Sequence, residues 1–195
     1  MIRPSVIAAA LLLAAAPDPF LAAQQREIIV TVYGGGADHL ADLQKSPPAW
    51  FMPGYAVGAS IGVQLTHYIG VHGDFTYTRN PVERVAPTVG FGDTDVNRFF
   101  YGAHAEFRYP LNRWTPYVFL GAGAVSIDQL GLDSFRPTTR PAVMYGGGLF
   151  YALPGTRLEL VSEIKGLTYN WNMAGFHRNM VDVTYSAGLS YRFGI

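Results

Sequence analysis

The chain has 195 residues, with 14 basic and 14 acidic side chains and therefore no formal net charge. Only 14% of the residues are charged and 49% are apolar, with 22 glycines and no cysteine. This composition excludes a disordered chain, and the lack of a basic excess argues against a nucleic-acid partner. Without cysteine the chain cannot form disulfides, thiolate metal sites or a cysteine nucleophile.

The first predicted element is an apolar segment at the N-terminus. Arg3 precedes the run 5–16, which is apolar after its first residue and is followed by two prolines and a small-residue stretch. This is the pattern of a secretory signal peptide with cleavage after Ala23. A retained anchor helix is the alternative, but a membrane span needs about 20 apolar residues. We therefore predict a signal peptide over 1–23 and a single mature domain over 24–195.

The mature chain continues as segments in which apolar residues alternate with polar or small ones. A period of two indicates a strand with one apolar and one polar face. The segments that show this alternation are 54–66, 68–79, 98–109, 156–168 and 181–193.

Three further strands are predicted near 27–35, 114–126 and 140–152. These segments are apolar or glycine-rich on both faces, so the sequence does not assign which face points inward. With them the total is eight strands.

The predicted connections alternate between short turns and long loops. Short turns lie near 67, 110–113 and 153–155, and long loops cover roughly 36–53, 80–96, 127–139 and 169–180. Short turns at one end and long loops at the other are the layout of an outer-membrane barrel. The predicted fold is therefore an all-β, eight-stranded antiparallel up-and-down transmembrane β-barrel.

Two stretches carry a resemblance to a known family. The run TPYVFLGAGA at 115–124 and the closing AGLSYRF at 187–193, together with the alternating strands, resemble the bacterial outer-membrane β-barrel proteins, a group that includes opacity proteins and OmpA-like membrane domains. The resemblance implies the outer membrane of a Gram-negative bacterium, contact with outer-membrane lipids and lipopolysaccharide, and recognition of the C-terminal strand by the barrel-assembly machinery. Members commonly end on the aromatic residue, whereas Gly194 and Ile195 follow Phe193 here.

The inward faces of the assigned strands carry basic and acidic side chains in equal number. A buried unpaired ion costs several kcal/mol, so this balance predicts a closed interior. An eight-stranded barrel encloses little more than its own side chains, and a wide diffusion pore is not expected. The predicted interior polar network consists of His72, Asp74, Arg98, His104, Glu106, Arg108, Arg157, Glu159, Glu163, Lys165, Asp182 and Arg192.

Two histidines lie two positions from a carboxylate, in the pairs His72/Asp74 and His104/Glu106. Each pair could be a general base with its orienting partner. Small barrels include a lipid A deacylase with a Ser-His-Glu site, whose histidine and serine lie two apart on one strand. The nearest match here, beginning at His177, has Asn179 in place of the serine. We therefore interpret the two pairs as members of the interior network.

Metal and phosphate motifs are incomplete. The segment 93–97 begins like a calcium loop, but Arg98 replaces the glycine and His104 replaces the bidentate glutamate. The glycine triplets 34–36 and 146–148 open no phosphate-binding helix, and we predict that they relieve crowding inside a narrow barrel. No catalytic, metal or cofactor site is predicted.

The sequence thus predicts a non-enzymatic outer-membrane barrel with long extracellular loops, serving envelope structure or surface interaction through an extracellular partner. Two alternatives remain open: an outer-membrane lipid hydrolase resembling lipid A deacylase, and a narrow channel.

Overall fold

The computed structural model describes residues 27–40, 44–45, 48–84, 95–129, 138–173 and 176–194. The predicted signal peptide and Ile195 lie outside these residues. The described strands are β1 Glu27–His39, β2 Gln44–Lys45, β3 Pro48–Phe51, β4 Gly54–Gln64, β5 Ile69–Arg84, β6 Asp95–Arg108, β7 Trp114–Gln129, β8 Thr138–Ala152, β9 Leu158–Met173 and β10 Phe176–Gly194. Within the same residues there is no helix long and apolar enough to cross a membrane.

Eight of the strands close into one antiparallel barrel. Each long strand from β4 to β10 pairs with the next along the chain, and β1 lies between β4 and β10. The short strands β2 and β3 form a small extension, in which β3 pairs with the far end of β5. The predicted eight-stranded up-and-down barrel is confirmed.

Burial alternates along the strands as the sequence pattern predicted. On β6, Tyr101 and Phe107 are exposed on the outer face, while His104, Glu106 and Arg108 are buried on the inner one. The facing predicted for the other alternating strands is also confirmed. Outward aromatic residues gather near the end with the short turns, as in an interfacial girdle; they include Tyr68, Phe107, Tyr109, Trp114, Tyr191 and Phe193.

The structure also assigns the facing of the strands whose pattern was ambiguous. On β7 the inward residues include Tyr117, Phe119 and Val125, and on β8 they include Met144 and Phe150. These residues belong to one hydrophobic cluster inside the barrel. Since the outward residues of the same strands are also apolar, their sequence shows no alternation.

The glycine triplet 146–148 makes room for this cluster. A Cβ on Gly146 would lie 2.6 Å from Cζ of Phe119, and a Cβ on Gly148 would lie 2.7 Å from the Tyr117 hydroxyl. Glycine at these inward positions allows the two rings to lie against the β8 backbone. The predicted relief of crowding inside the barrel is confirmed for Gly146 and Gly148, whereas Gly147 lies on the outer face of β8.

The three short turns lie where they were predicted, at 65–68, 109–113 and 153–157. The prediction of a long loop over 169–180 is wrong, because β9 continues to Met173 and β10 begins at Phe176. Tyr169 and Met180 are buried on the inner face, so their side chains stabilise a longer hairpin at this end of the barrel. Strands also extend into the other three predicted loops.

Candidate functional site: the charged interior of the barrel

The structure brings eleven of the twelve predicted interior residues to the inner face. Nine of them are buried, and Glu163 and Arg192 are half-buried. The prediction that Arg157 lines the interior is wrong. This residue is exposed in the turn before β9, whose first residue is Leu158, and the alternation does not extend into the turn.

The central ion pair crosses the lumen from β9 to β5. Lys165 Nζ lies 3.0 Å from Oδ1 and 2.9 Å from Oδ2 of Asp74. The ammonium also donates to the Tyr33 hydroxyl at 2.8 Å, and Tyr33 and Thr76 each donate 2.9 Å hydrogen bonds to Asp74. Lys165 is only 1% exposed. The pair is therefore both desolvated and fully hydrogen-bonded, the condition under which a buried ion pair is tolerated.

A second cluster lies nearer the short turns, on β6. Arg108 donates from Nε to Oε1 of Glu106, and its guanidinium stacks on the Phe150 ring, with Cζ 4.4 Å from the ring centroid. In the described part of the chain, Nη1 and Nη2 of Arg108 have no hydrogen-bond partner. The arginine is thus held by one carboxylate and one aromatic face.

His72 and His104 lie directly opposite each other on β5 and β6. Their rings are nearly parallel, with centroids 5.2 Å apart and an interplanar angle of 3°. Asp74 bonds Lys165 and Glu106 bonds Arg108. The carboxylate nearest to His72 is Glu106 of the neighbouring strand, whose Oε1 lies 3.8 Å from Nε2 of the histidine, beyond hydrogen-bond distance. The structure therefore does not assemble the two base-and-orienter pairs that the sequence suggested.

Both histidines border a small cavity of about 10 Å³ in the lumen. Ser60, Glu106, Tyr117 and Glu163 line the same cavity. Tyr117 donates a 2.8 Å hydrogen bond to Oε2 of Glu163. A cavity of this size has room for about one water molecule.

A third cluster closes the barrel at the opposite end, where the longer connections lie. Asp182 is 2.5 Å from Nδ1 of His39 and accepts a 2.9 Å hydrogen bond from Tyr169. Arg98 places Nη1 2.8 Å from Nε2 of His39 and Nε 3.7 Å from Asp182. These contacts join β1, β6, β9 and β10 across the mouth of the barrel.

Phe51 of β3 covers this third cluster. Its ring centroid lies 4.2 Å from that of His39 and 4.3 Å from Cζ of Arg98. The amide of Asn80 donates at 3.0 Å both to the Ala37 carbonyl in the barrel and to the Met52 carbonyl beside Phe51. These contacts hold Phe51 and Met52, near the end of the first long connection, over the mouth of the barrel.

The end with the short turns holds a more exposed group. Arg192 on β10 lies 3.2 Å from Glu27 of β1 and 2.7 Å from Glu159 of β9. Together with the three clusters above, it places ion pairs at four levels along the lumen.

Sequence reasoning missed several polar residues of this interior. Glu27, Tyr33 and His39 are separated by even numbers of residues on β1 and therefore share one face of the strand. In this glycine-rich strand, that shared face was the only pattern from which the sequence could have predicted their inward orientation. Tyr117 gave no signal because it lies on a strand that is apolar on both faces. Tyr169 was assigned to a loop.

The described residues contain no group of three or more His, Cys, Asp or Glu side chains placed to hold a metal ion. Two residues of the incomplete calcium motif, 93 and 94, lie outside the described part of the chain.

A closed antiparallel barrel with an apolar outer face and a charged interior defines a membrane β-barrel. The sequence matches the family described as "Outer membrane protein beta-barrel domain" over residues 6–193, and the chain belongs to this family. It is therefore a protein of the bacterial outer membrane.

Two solved structures show the same fold. The chain is similar to Neisserial surface protein A, with 18% identity, a TM-score of 0.57 and coverage of 86% of this chain and 97% of that one. It is also similar to the N-terminal β-barrel domain of Pseudomonas aeruginosa OprF, with 16% identity, a TM-score of 0.52 and coverage of 87% and 98%. No curated protein matches the sequence.

Proposed function

We propose that the protein is a non-enzymatic outer-membrane barrel with a closed lumen. The barrel anchors the surface-exposed connections between its strands, and the protein serves envelope structure or surface interaction. The observation that carries this proposal is the sequence of ion pairs along the lumen. They are Arg192 with Glu27 and Glu159, Arg108 with Glu106, Lys165 with Asp74, and Arg98 with Asp182.

Opening a path through this interior would separate buried charges. Removing one partner of a buried ion pair costs about 3–5 kcal/mol, because the other charge is left unpaired in a medium of low polarity. A hydrophobic cluster, most of whose side chains belong to β7, β8 and β9, occupies a further part of the interior. These features favour a closed barrel over a narrow channel.

With the lumen closed, partners can bind at two places: the outward face of the barrel and the end that carries the long connections. The outward face is apolar and suits outer-membrane lipids, with lipopolysaccharide in the outer leaflet. The connections 40–53, 85–94 and 130–137 leave the end opposite the short turns, and an extracellular partner would bind there. Residues 1–23 would direct export, and β10 would present the assembly signal to the barrel-assembly machinery.

The hydrolase alternative finds little support in the geometry. His72 and His104 are 2% and 5% exposed, and the cavity beside them measures about 10 Å³. Ser60 lines this cavity, but a lipid ester could not reach it without opening the barrel.

The first experiment addresses both alternatives with the purified, folded wild-type chain. We expect no loss of acyl chains from purified lipid A, followed by mass spectrometry, and no ion-conducting steps in a planar bilayer. Turnover of lipid A would support the hydrolase, and reproducible conductance steps would support the channel. Either result would contradict the proposal.

The second experiment tests surface interaction. Bacteria that display the wild-type chain are compared, on a cultured epithelial monolayer, with bacteria that display a variant in which 85–94 and 130–137 are replaced by short glycine-containing turns. We expect the variant to fold, as judged by its heat-modifiable gel mobility, and to adhere less. Equal adhesion of the two strains would restrict the role to envelope structure.

A further inference from the structure

An open cavity of about 600 Å³ lies against four neighbouring strands, β8, β9, β10 and β1. Three consecutive residues of each strand line it, at 34–36, 147–149, 162–164 and 185–187. Ile164, Tyr185 and Ala187 of this lining are exposed on the outer face, and no described residue of the facing strands β4 to β7 takes part. The cavity is therefore a depression in the outer surface of the barrel, which we call the outer depression.

Small outward residues on adjacent strands form the outer depression. Gly34 of β1 pairs with Ala187 of β10, and Ala187 pairs with Ser162 of β9. In the next row toward the long connections, Gly147 of β8 pairs with Ile164, whose side chain is 63% exposed and forms a wall. A Cβ added to Gly34 would have its nearest neighbours at 3.7 and 3.8 Å. The position therefore has room for a larger group.

The two ends of the outer depression differ. Toward the short turns it is bounded by the row Val32, Leu189 and Leu160, whose side chains are 44–54% exposed and stand out from the sheet. Toward the long connections, Gly36 adds no side chain, and the Tyr185 ring lies flat against it, where a Cβ would clash with the ring. The depression is thus closed toward the short turns and shallow toward the long connections.

The outer depression belongs to the surface that faces the bilayer, near the middle of its strands. Glu163, the charged residue of the lining, directs its side chain into the lumen, where it accepts a 2.8 Å hydrogen bond from Tyr117. The outward lining is thus uncharged, and the hydrocarbon core offers no water to fill it. An empty space would forfeit the dispersion contacts of its lining. The volume lies in the range of about 300–1,000 Å³ that is usual for ligand sites.

We propose that the outer depression is a binding site for one acyl chain of lipopolysaccharide. The chain is apolar, flexible and present at this depth, and its leaflet lies on the side of the long connections, where the depression is shallow. A phospholipid chain from the inner leaflet would have to pass over Val32, Leu189 and Leu160. The proposal rests on the lipid contact of the proposed function and assigns it to one place on the barrel.

The test compares wild type, Gly34→Leu and Ala105→Leu. Gly34→Leu fills the depression, whereas Ala105→Leu, the matched control, enlarges an outward residue of β6 on the other half of the barrel. Each chain is extracted in mild detergent from the outer membrane of a Gram-negative bacterium with truncated, uniform lipopolysaccharide. Native mass spectrometry then identifies the retained lipid. We expect one lipopolysaccharide per chain for wild type and Ala105→Leu, and about tenfold less for Gly34→Leu.

Equal retention by wild type and Gly34→Leu would overturn the proposal, as would a wild type that retains no lipid. Retained phosphatidylethanolamine would contradict the assignment to lipopolysaccharide, and a wild-type dimer that Gly34→Leu dissociates would assign the depression to a second copy of the chain. If Gly34→Leu fails to fold, Ala187→Leu takes its place. Conductance or unchanged adhesion bears on the proposed function and not on retained lipid, so the two proposals fail by different measurements.

Discussion

Two walls of the lumen are stabilised in different ways. The polar wall, formed by the inward residues of β5, contains His72, Asp74, Thr76, Thr78 and Asn80, all buried. The apolar wall, formed by the inward residues of β7 and β8, includes Tyr117, Phe119, Val125, Ile127, Met144 and Phe150. Hydrogen bonds and ion pairs require particular partners at particular distances, whereas apolar packing requires mainly volume. The polar wall should therefore tolerate substitution less well than the apolar wall.

The largest expected effect is on the ion pair that joins the polar wall to β9. Lys165→Met leaves Asp74 buried without its cation and should reduce the free energy of unfolding by about 3–5 kcal/mol. Urea unfolding in micelles measures the loss. The double variant Lys165→Met/Asp74→Asn should recover part of it, and an additive double variant would show that the two groups are not coupled.

On the apolar wall, removing side-chain volume should reduce the free energy of unfolding strongly. Replacing one apolar side chain by another of similar volume should reduce it little. Phe119→Ala removes a ring that packs on Gly146 and should cost about 3–4 kcal/mol. Met144→Leu keeps the volume and should cost less than about 1.5 kcal/mol. Both variants are measured by the same unfolding assay. Equal losses of stability would mean that the apolar wall tolerates substitution no better than the polar wall.

A charge on the outer face tests the register on which both walls depend. Ala103 faces outward near the middle of β6, and Ala103→Arg should cost about 2–4 kcal/mol, the penalty for arginine at the bilayer midplane. Ala103→Leu is the control and should leave stability unchanged. An arginine variant as stable as wild type would contradict the assigned facing of β6.

The smallest expected effect is that of removing the Tyr33 hydroxyl, which donates a hydrogen bond from β1 to Asp74 of the polar wall. Tyr33→Phe keeps the ring beneath Lys165 and removes the hydrogen bonds of its hydroxyl with Asp74 and Lys165. Hydrogen bonds to charged groups contribute about 1.5–3 kcal/mol, and the cost should lie near the lower value because Asp74 keeps its other partners. A neutral variant would show that the ring alone supports the cluster.

The difference between the walls also explains how much of the fold the sequence could predict. Where a strand is polar inside and apolar outside, as at Phe99 to Tyr109, alternation predicted the barrel and its facing. Where both faces are apolar, as at Tyr117 to Val125, alternation does not predict which face of the strand points inward. Only closure of the barrel shows which side points inward.

The candidate site was predictable in composition but not in pairing. Period two placed Asp74 and Lys165 on inner faces, yet their strands lie far apart in the chain and across the lumen from each other. The glycines of β1 obscured its alternation, so the sequence did not identify the polar residues that β1 contributes to the interior. The errors at Arg157 and at 169–180 share one cause: alternation fixes the face of a strand residue, but not where the strand begins or ends.

The central claim is that the folded lumen excludes water-borne solutes, and the cysteine-free chain allows a direct measurement. Ser190 is fully buried on the inner face of β10 and hydrogen-bonds Thr31, whereas Thr156 is exposed in a turn. Ser190→Cys and Thr156→Cys are each treated, folded in micelles, with a small charged methanethiosulfonate. We predict that Thr156→Cys reacts rapidly, and that Ser190→Cys reacts only after unfolding. Labelling of folded Ser190→Cys at the rate of Thr156→Cys would contradict a closed lumen.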